Sequence, residues 1–122
     1  MAHQGWIGVD LDGTLALYTG WKGPTHIGEP VPAMAERVRR WLAQGVDVRI
    51  FTARSNPTNP DAPAAVPAVR AWCIEHFGRE LPITWEKDME MVCLYDDRAK
   101  QVITNTGILV ESLVKGYEEP TD

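Results

Sequence analysis

Short apolar runs rich in β-branched residues alternate with helical segments along this chain, and that alternation restricts the fold more than any single residue does. Trp6-Ile7-Gly8-Val9 reads as a buried strand. Residues 15–30 are irregular and rich in Gly, Pro and Thr. Over 31–44, Val31, Ala35, Val38 and Leu42 fall on one helix face, with Pro32 suited to the first turn and Gly45 to the C-terminal stop. Residues 46–51 read as a second strand and 53–63 as a Pro/Asn-rich loop. Val66, Val69, Cys73 and Phe77 mark a second helix face ending at Gly78. Pro67 belongs in a first helical turn, which predicts a start later than Asp61. Further strands are expected at 81–85, 91–95 and 108–110, with a short helix at 99–104 joining the last two. The pattern predicts an α/β protein with a doubly wound parallel sheet of about five strands, helices on both faces and right-handed crossovers. Residues 1–114 are expected to form the core and the polar stretch 115–122 a frayed tail.

At 122 residues and 44% hydrophobic content, one domain with a real core is the natural reading. No apolar run is long enough to span a membrane and the N-terminus lacks a signal-peptide layout, so a cytoplasmic protein without a membrane role is expected. Cys73 and Cys93 have no metal-ligand spacing and are expected to be reduced, buried hydrophobes. Trp6, Trp41, Trp72 and Trp85 are expected to pack in the interior. The formal charge of −5 argues against nucleic acid as a general partner, because backbone binding needs a basic surface. A phosphorylated substrate remains compatible with that charge, since a divalent cation reverses the sign of an acidic pocket.

The polar residues that follow the strands carry the chemistry. Asp10-Leu11-Asp12-Gly13-Thr14 comes directly after the first apolar run, and ligands of open α/β sheets bind beyond the carboxyl ends of strands. Two carboxylates so close repel unless a cation sits between them or one is protonated. Gly13 lets the chain turn with a positive φ. Thr52 ends the second strand, where its hydroxyl can donate to a phosphate oxygen. Asp96 and Asp97 end the strand at 91–95 and bring a second acidic pair to the same edge. Lys87 follows the third strand and offers a positive charge, and Arg54, beside Thr52, is a candidate second phosphate contact. Hard oxygen ligands without soft ones point to Mg²⁺ as the cofactor. One carboxylate can then attack phosphorus to form an aspartyl-phosphate while the other moves the proton.

With these residues in view, the chain resembles the haloacid dehalogenase superfamily of phosphohydrolases, and its fold is expected to be of that family's Rossmann-like kind. Val9-Asp10-Leu11-Asp12-Gly13-Thr14-Leu15 matches the first motif, Ile50-Phe51-Thr52 the second, Lys87 the third and Tyr95-Asp96-Asp97 the fourth, in the family's order. The resemblance implies Asp10 as nucleophile and Asp12 as general acid/base. It implies Mg²⁺ held by Asp10, the backbone carbonyl of Asp12, and Asp96, with Asp97 supporting the site. Thr52 and Lys87 would bind the phosphoryl group. An acid at position 12 resembles the phosphatase branch of the superfamily.

Residues 15–30 are too few for a helical cap domain, so an open site is expected. That layout resembles small capless members that act on large or extended substrates or borrow a lid from another subunit, which makes a homo-oligomer one expectation. Trp21, Lys22 and His26 in this flap are candidate substrate contacts, set against the plainer reading of an exposed polar loop. The alternatives are a weakly active or inactive binding or regulatory module and a polynucleotide end-processing phosphatase. A two-component receiver carries similar residues in a different order, with its phospho-acceptor on the third strand.

Overall fold

The computed structural model describes residues 5–113. Strand β1 (Trp6–Asp10) leads to helix α1 (Pro32–Ala43), strand β2 (Asp47–Phe51), helix α2 (Ala62–Phe77), strand β3 (Ile83–Thr84) and strand β4 (Met91–Tyr95). All pairings are parallel and the sheet order is β3-β2-β1-β4. Successive strands step outward from β1 to β2 to β3, and the chain then returns to place β4 on the other flank of β1. The strand order therefore reverses between β1 and β4, and their carboxyl ends open a crevice.

Local chemistry explains the helix ends. Pro32 starts α1, where a missing N–H costs nothing, and Gly45 at φ 77° closes it. The backbone N–H groups of Gly45 and Val46 return to the carbonyls of Leu42 and Trp41, which satisfies the last turn. Helix α2 begins at Ala62, after Asp61 as expected, but holds Pro67 in its interior rather than in its first turn. The missing Pro67 N–H forfeits one bond near the helix start, and burial of Ala65, Val69, Trp72 and Cys73 outweighs that loss.

The core lies between the helices and one face of the sheet. Val9, Val48 and Ile50 meet Val38, Val69, Trp72 and Cys73 there. Arg39 of α1 stacks over Phe77 and donates to the His76 carbonyl of α2, so the two helices are neighbours on the same face. Crossovers of one hand that step in one direction must put their helices on one side. The expected helices on both faces are corrected accordingly. On the opposite face Arg49 stacks 4.7 Å over Trp6 and pairs with Asp47 and Asp88.

Among the described residues the sheet has four strands rather than five. The expected helix at 99–104 and strand at 108–110 are replaced by a small hairpin with a Val102–Leu109 bridge and a 3₁₀ turn at Val110–Leu113. Asn105 and Gly107, both at positive φ, turn the segment back on itself before it can extend the sheet. Strand β3 is shortened to Ile83–Thr84. Cys73 is buried as expected, but Cys93 on the flanking strand β4 is exposed, and Trp85 is 40% exposed rather than packed. No helix among the described residues is long and apolar enough to cross a membrane. The stretch 115–122 lies outside the described residues.

Candidate active site

The loop after β1 winds into a compact turn in which the Leu11 carbonyl accepts from the N–H groups of Leu15 and Ala16. Buried Leu11 and Leu15 anchor it from below, which leaves Asp10, Asp12 and Thr14 at the sheet's carboxyl edge. Gly13, at φ 91°, is required here because a Cβ would stand 2.6 Å from Asp97 Oδ2. Thr14 stitches this loop to the one after β4: its hydroxyl accepts from the Asp97 backbone N–H at 2.9 Å and lies 3.0 Å from Asp97 Oδ1 and 3.3 Å from Asp10 Oδ2.

Asp10, Asp96 and Asp97 each offer a carboxylate oxygen within 4.8 Å of the others. Burial, then the Asp96 charge and then Asp97, push the Asp10 carboxyl up to about 7, against a small opposing pull from the Thr14 hydroxyl. A cluster under that repulsion suits a cation. Ligand bonds of about 2.0–2.1 Å put two oxygens of an octahedral Mg²⁺ shell roughly 2.9 to 4.2 Å apart, so small side-chain adjustments accommodate it. The donors are hard oxygens throughout, which fits Mg²⁺ and disfavours softer metals.

A cavity of about 620 Å³ opens over this cluster. Asp10, Asp12, Thr52, Arg54, Asp96, Asp97 and Trp21 all line it, so most of the residues singled out from sequence share one chamber. Thr52 is 3% exposed, and its oxygen accepts from the Arg54 backbone N–H at 3.2 Å. Its hydroxyl proton meets no acceptor among the described residues. A buried donor without a protein acceptor, facing a cavity, can donate to an oxygen that enters that cavity.

Two expected residues sit elsewhere. Lys87 is exposed and outside the cavity lining, because the chain turns back toward the start of β4 soon after the short β3. The neighbouring Asp88 is already held by the Trp6 indole N–H at 2.8 Å, at the amino end of β1. Lys22 belongs instead to a smaller cavity of about 140 Å³ beneath the flap, together with His26. Arg54 is in place but engaged, since its Nε and Nη2 donate to the two oxygens of Asp12 at 2.8 and 2.9 Å. The Asp12 carboxylate is thereby kept apart from the three-carboxylate cluster.

Sequence reasoning missed Arg98, which lines the cavity and directly follows the Asp96-Asp97 pair. Its guanidinium has no partner among the described residues, so it is the cation free to meet an anion here. Position was the available signal, for any residue just beyond β4 shares the rim with Asp10. Tyr18 and Asn59 also line the cavity and come from irregular segments with no comparable signal.

No protein-family model matches the chain, and no curated protein does. A solved structure of a conserved protein from Bacteroides thetaiotaomicron is similar to it with a TM-score of 0.56 and 19% identity, over 80% of this chain and 78% of that one. At that identity the likeness establishes a shared α/β fold alone.

Proposed function

We propose that this chain is a Mg²⁺-dependent phosphomonoesterase of the haloacid dehalogenase type, working through an aspartyl-phosphate on Asp10. The observation that carries the reading is the convergence, in one cavity at the reversal of strand order, of the Asp10-Asp96-Asp97 cluster with the buried, unspent Thr52 hydroxyl. Asp10 Oδ attacks phosphorus, and the bond from phosphorus to the leaving oxygen breaks as Asp12 delivers a proton to that oxygen. Asp12 then takes a proton from water, whose oxygen attacks phosphorus; the bond to Asp10 breaks, releasing inorganic phosphate and restoring the carboxylate. Asp10, Asp96 and Asp97 would hold Mg²⁺, with the Asp12 carbonyl as the further oxygen that the resemblance implies, and the bound ion would neutralise the phosphoryl charge. Thr52 donates to a phosphoryl oxygen, and Arg98 supplies the cation that Lys87 was expected to provide.

The test is release of inorganic phosphate from a panel of sugar phosphates, nucleotides and phosphopeptides in Mg²⁺, with Asp10→Asn beside the wild type. Turnover that chelator and Asp10→Asn both abolish is the expected result. A folded, Mg²⁺-binding protein with no turnover anywhere on the panel would instead make the chain a binding module.

A further inference from the structure

Arg54 is 6% exposed, and nearly all of its donor capacity is committed. Nε and Nη2 grip both oxygens of Asp12, Nη2 also donates to the His26 carbonyl at 2.9 Å, and Nη1 donates to the Pro24 carbonyl at 3.0 Å. The indole of Trp21 lies over the guanidinium, 4.8 Å from ring centroid to Cζ. These partners belong to two separate pieces of chain, the turn after β1 and the flap. A single side chain thus holds Asp12 and the flap at once. Asp12, Arg54 and Tyr18 border both the 620 Å³ cavity and the 140 Å³ cavity beneath the flap, so the ion pair forms part of the wall between them.

A phosphate would need the same fork that Asp12 occupies. Only one Nη1 proton of the five donors is uncommitted, and it offers no bidentate grip. The planar fork also explains why arginine stands here, since an ammonium cannot span two carboxylate oxygens and two carbonyls together. We propose that Arg54 is a positioning residue that fixes the Asp12 carboxylate and, through the same guanidinium, pins the flap, so that flap placement and proton-donor placement are one coupled state. The kinetic consequence rests on the phosphatase reading; the pinning of the flap does not.

Two aryl phosphates separate this role from a phosphate contact. Phenyl phosphate needs a proton on its departing oxygen, whereas 2,4-dinitrophenyl phosphate leaves readily without one. Arg54→Ala is expected to lower kcat/KM on phenyl phosphate by about 100-fold and on the dinitrophenyl ester by less than about threefold. Asp12→Asn should show the same selectivity, and the double variant should be no worse than Asp12→Asn. Added guanidinium should restore part of the loss in Arg54→Ala, while Arg54→Lys should remain impaired. Equal losses on both esters would overturn the proposal in favour of a phosphate ligand or a general scaffold role.

A second measurement needs no turnover. Trypsin cleavage after the exposed Lys22, followed by mass spectrometry on protein whose circular dichroism is unchanged, should be about tenfold faster in Arg54→Ala and in Asp12→Asn. Unchanged cleavage would overturn the pin. If Arg54→Ala does not fold, Arg54→Lys and Asp12→Asn carry both arms. If the wild type hydrolyses neither ester, the phosphatase reading fails while the cleavage rates still decide the coupling.

Discussion

Burial and the neighbouring carboxylates hold the Asp10 carboxyl at about 7 in the folded protein, against its ordinary value of 3.8. The folded state therefore holds a proton that the unfolded state has released between those values, and Asp10 makes stability fall as pH rises from about 4 through 7. Asp10→Asn removes this penalty. In chelator, the variant is expected to be more stable than wild type by about 2 kcal/mol at pH 8, roughly half the full linkage value because the group is partly solvated. The gap should shrink toward pH 4, and urea denaturation across that range measures it. A gap independent of pH would mean that Asp10 does not bear the repulsion. At this scale the sequence was informative wherever register decides position: Asp10 ends β1, Thr52 follows β2 and Asp96 and Asp97 follow β4, and parallel strands end on one edge. It was silent where position depends on a partner far along the chain. Arg54 meets Asp12 across 42 residues, and no spacing rule distinguishes that pairing from a free guanidinium awaiting phosphate.

Elements were legible in proportion to how much of their stability is local. Helix α1, with Pro32 and Gly45 marking its ends, matches the prediction to within a residue or so, as does β4. The segment 99–113 reads as a helix and a strand by apolar content, but Asn105 and Gly107 impose a turn that outweighs it. In α2 the balance runs the other way, since packing against the sheet keeps Pro67 inside the helix against its local preference for the first turn. That helix also holds the flap. Trp72, 6% exposed on α2, donates its indole N–H to the Gly28 carbonyl at 2.9 Å, while Leu17 N–H to the Glu29 carbonyl at 2.8 Å closes the flap's base. Trp72→Phe strands a carbonyl and leaves a small void, so a loss of about 2 kcal/mol is expected. Because the lost bond anchors the flap, kcat/KM on the preferred substrate should fall further than the folded fraction does. A fall no larger than the unfolded fraction would show that this anchor has no bearing on the site.

At the scale of the whole molecule, the two features that set behaviour are the reversal of strand order, which gathers the acidic cluster, and the thinness of what covers it. The first makes metal binding a stabilising event: Mg²⁺ at ten times its Kd is expected to add about 1.4 kcal/mol, a rise in Tm of several degrees for a chain of this size. Asp96→Asn should lose most of that rise. Ca²⁺ should bind but inhibit, because its larger shell can draw both oxygens of Asp10 into coordination and block attack on phosphorus. The second feature bears on selectivity. Among the described residues no domain closes over the 620 Å³ cavity, and the flap contributes Tyr18 and Trp21 to its wall. Without closure, water is not expelled and a small ester has little to hold, so a generic aryl phosphate should show a high KM and modest kcat. A larger substrate can use Trp21, which is 52% exposed although its ring rests on the Arg54 guanidinium. Trp21→Ala should therefore depress kcat/KM for the preferred panel substrate at least tenfold more than for p-nitrophenyl phosphate, while Lys22→Ala, outside the main cavity, should do less. Equal losses on both esters would make the flap a support for Asp12 alone, and no loss on either would move recognition to other residues that line the cavity, such as Asn59 and Arg98.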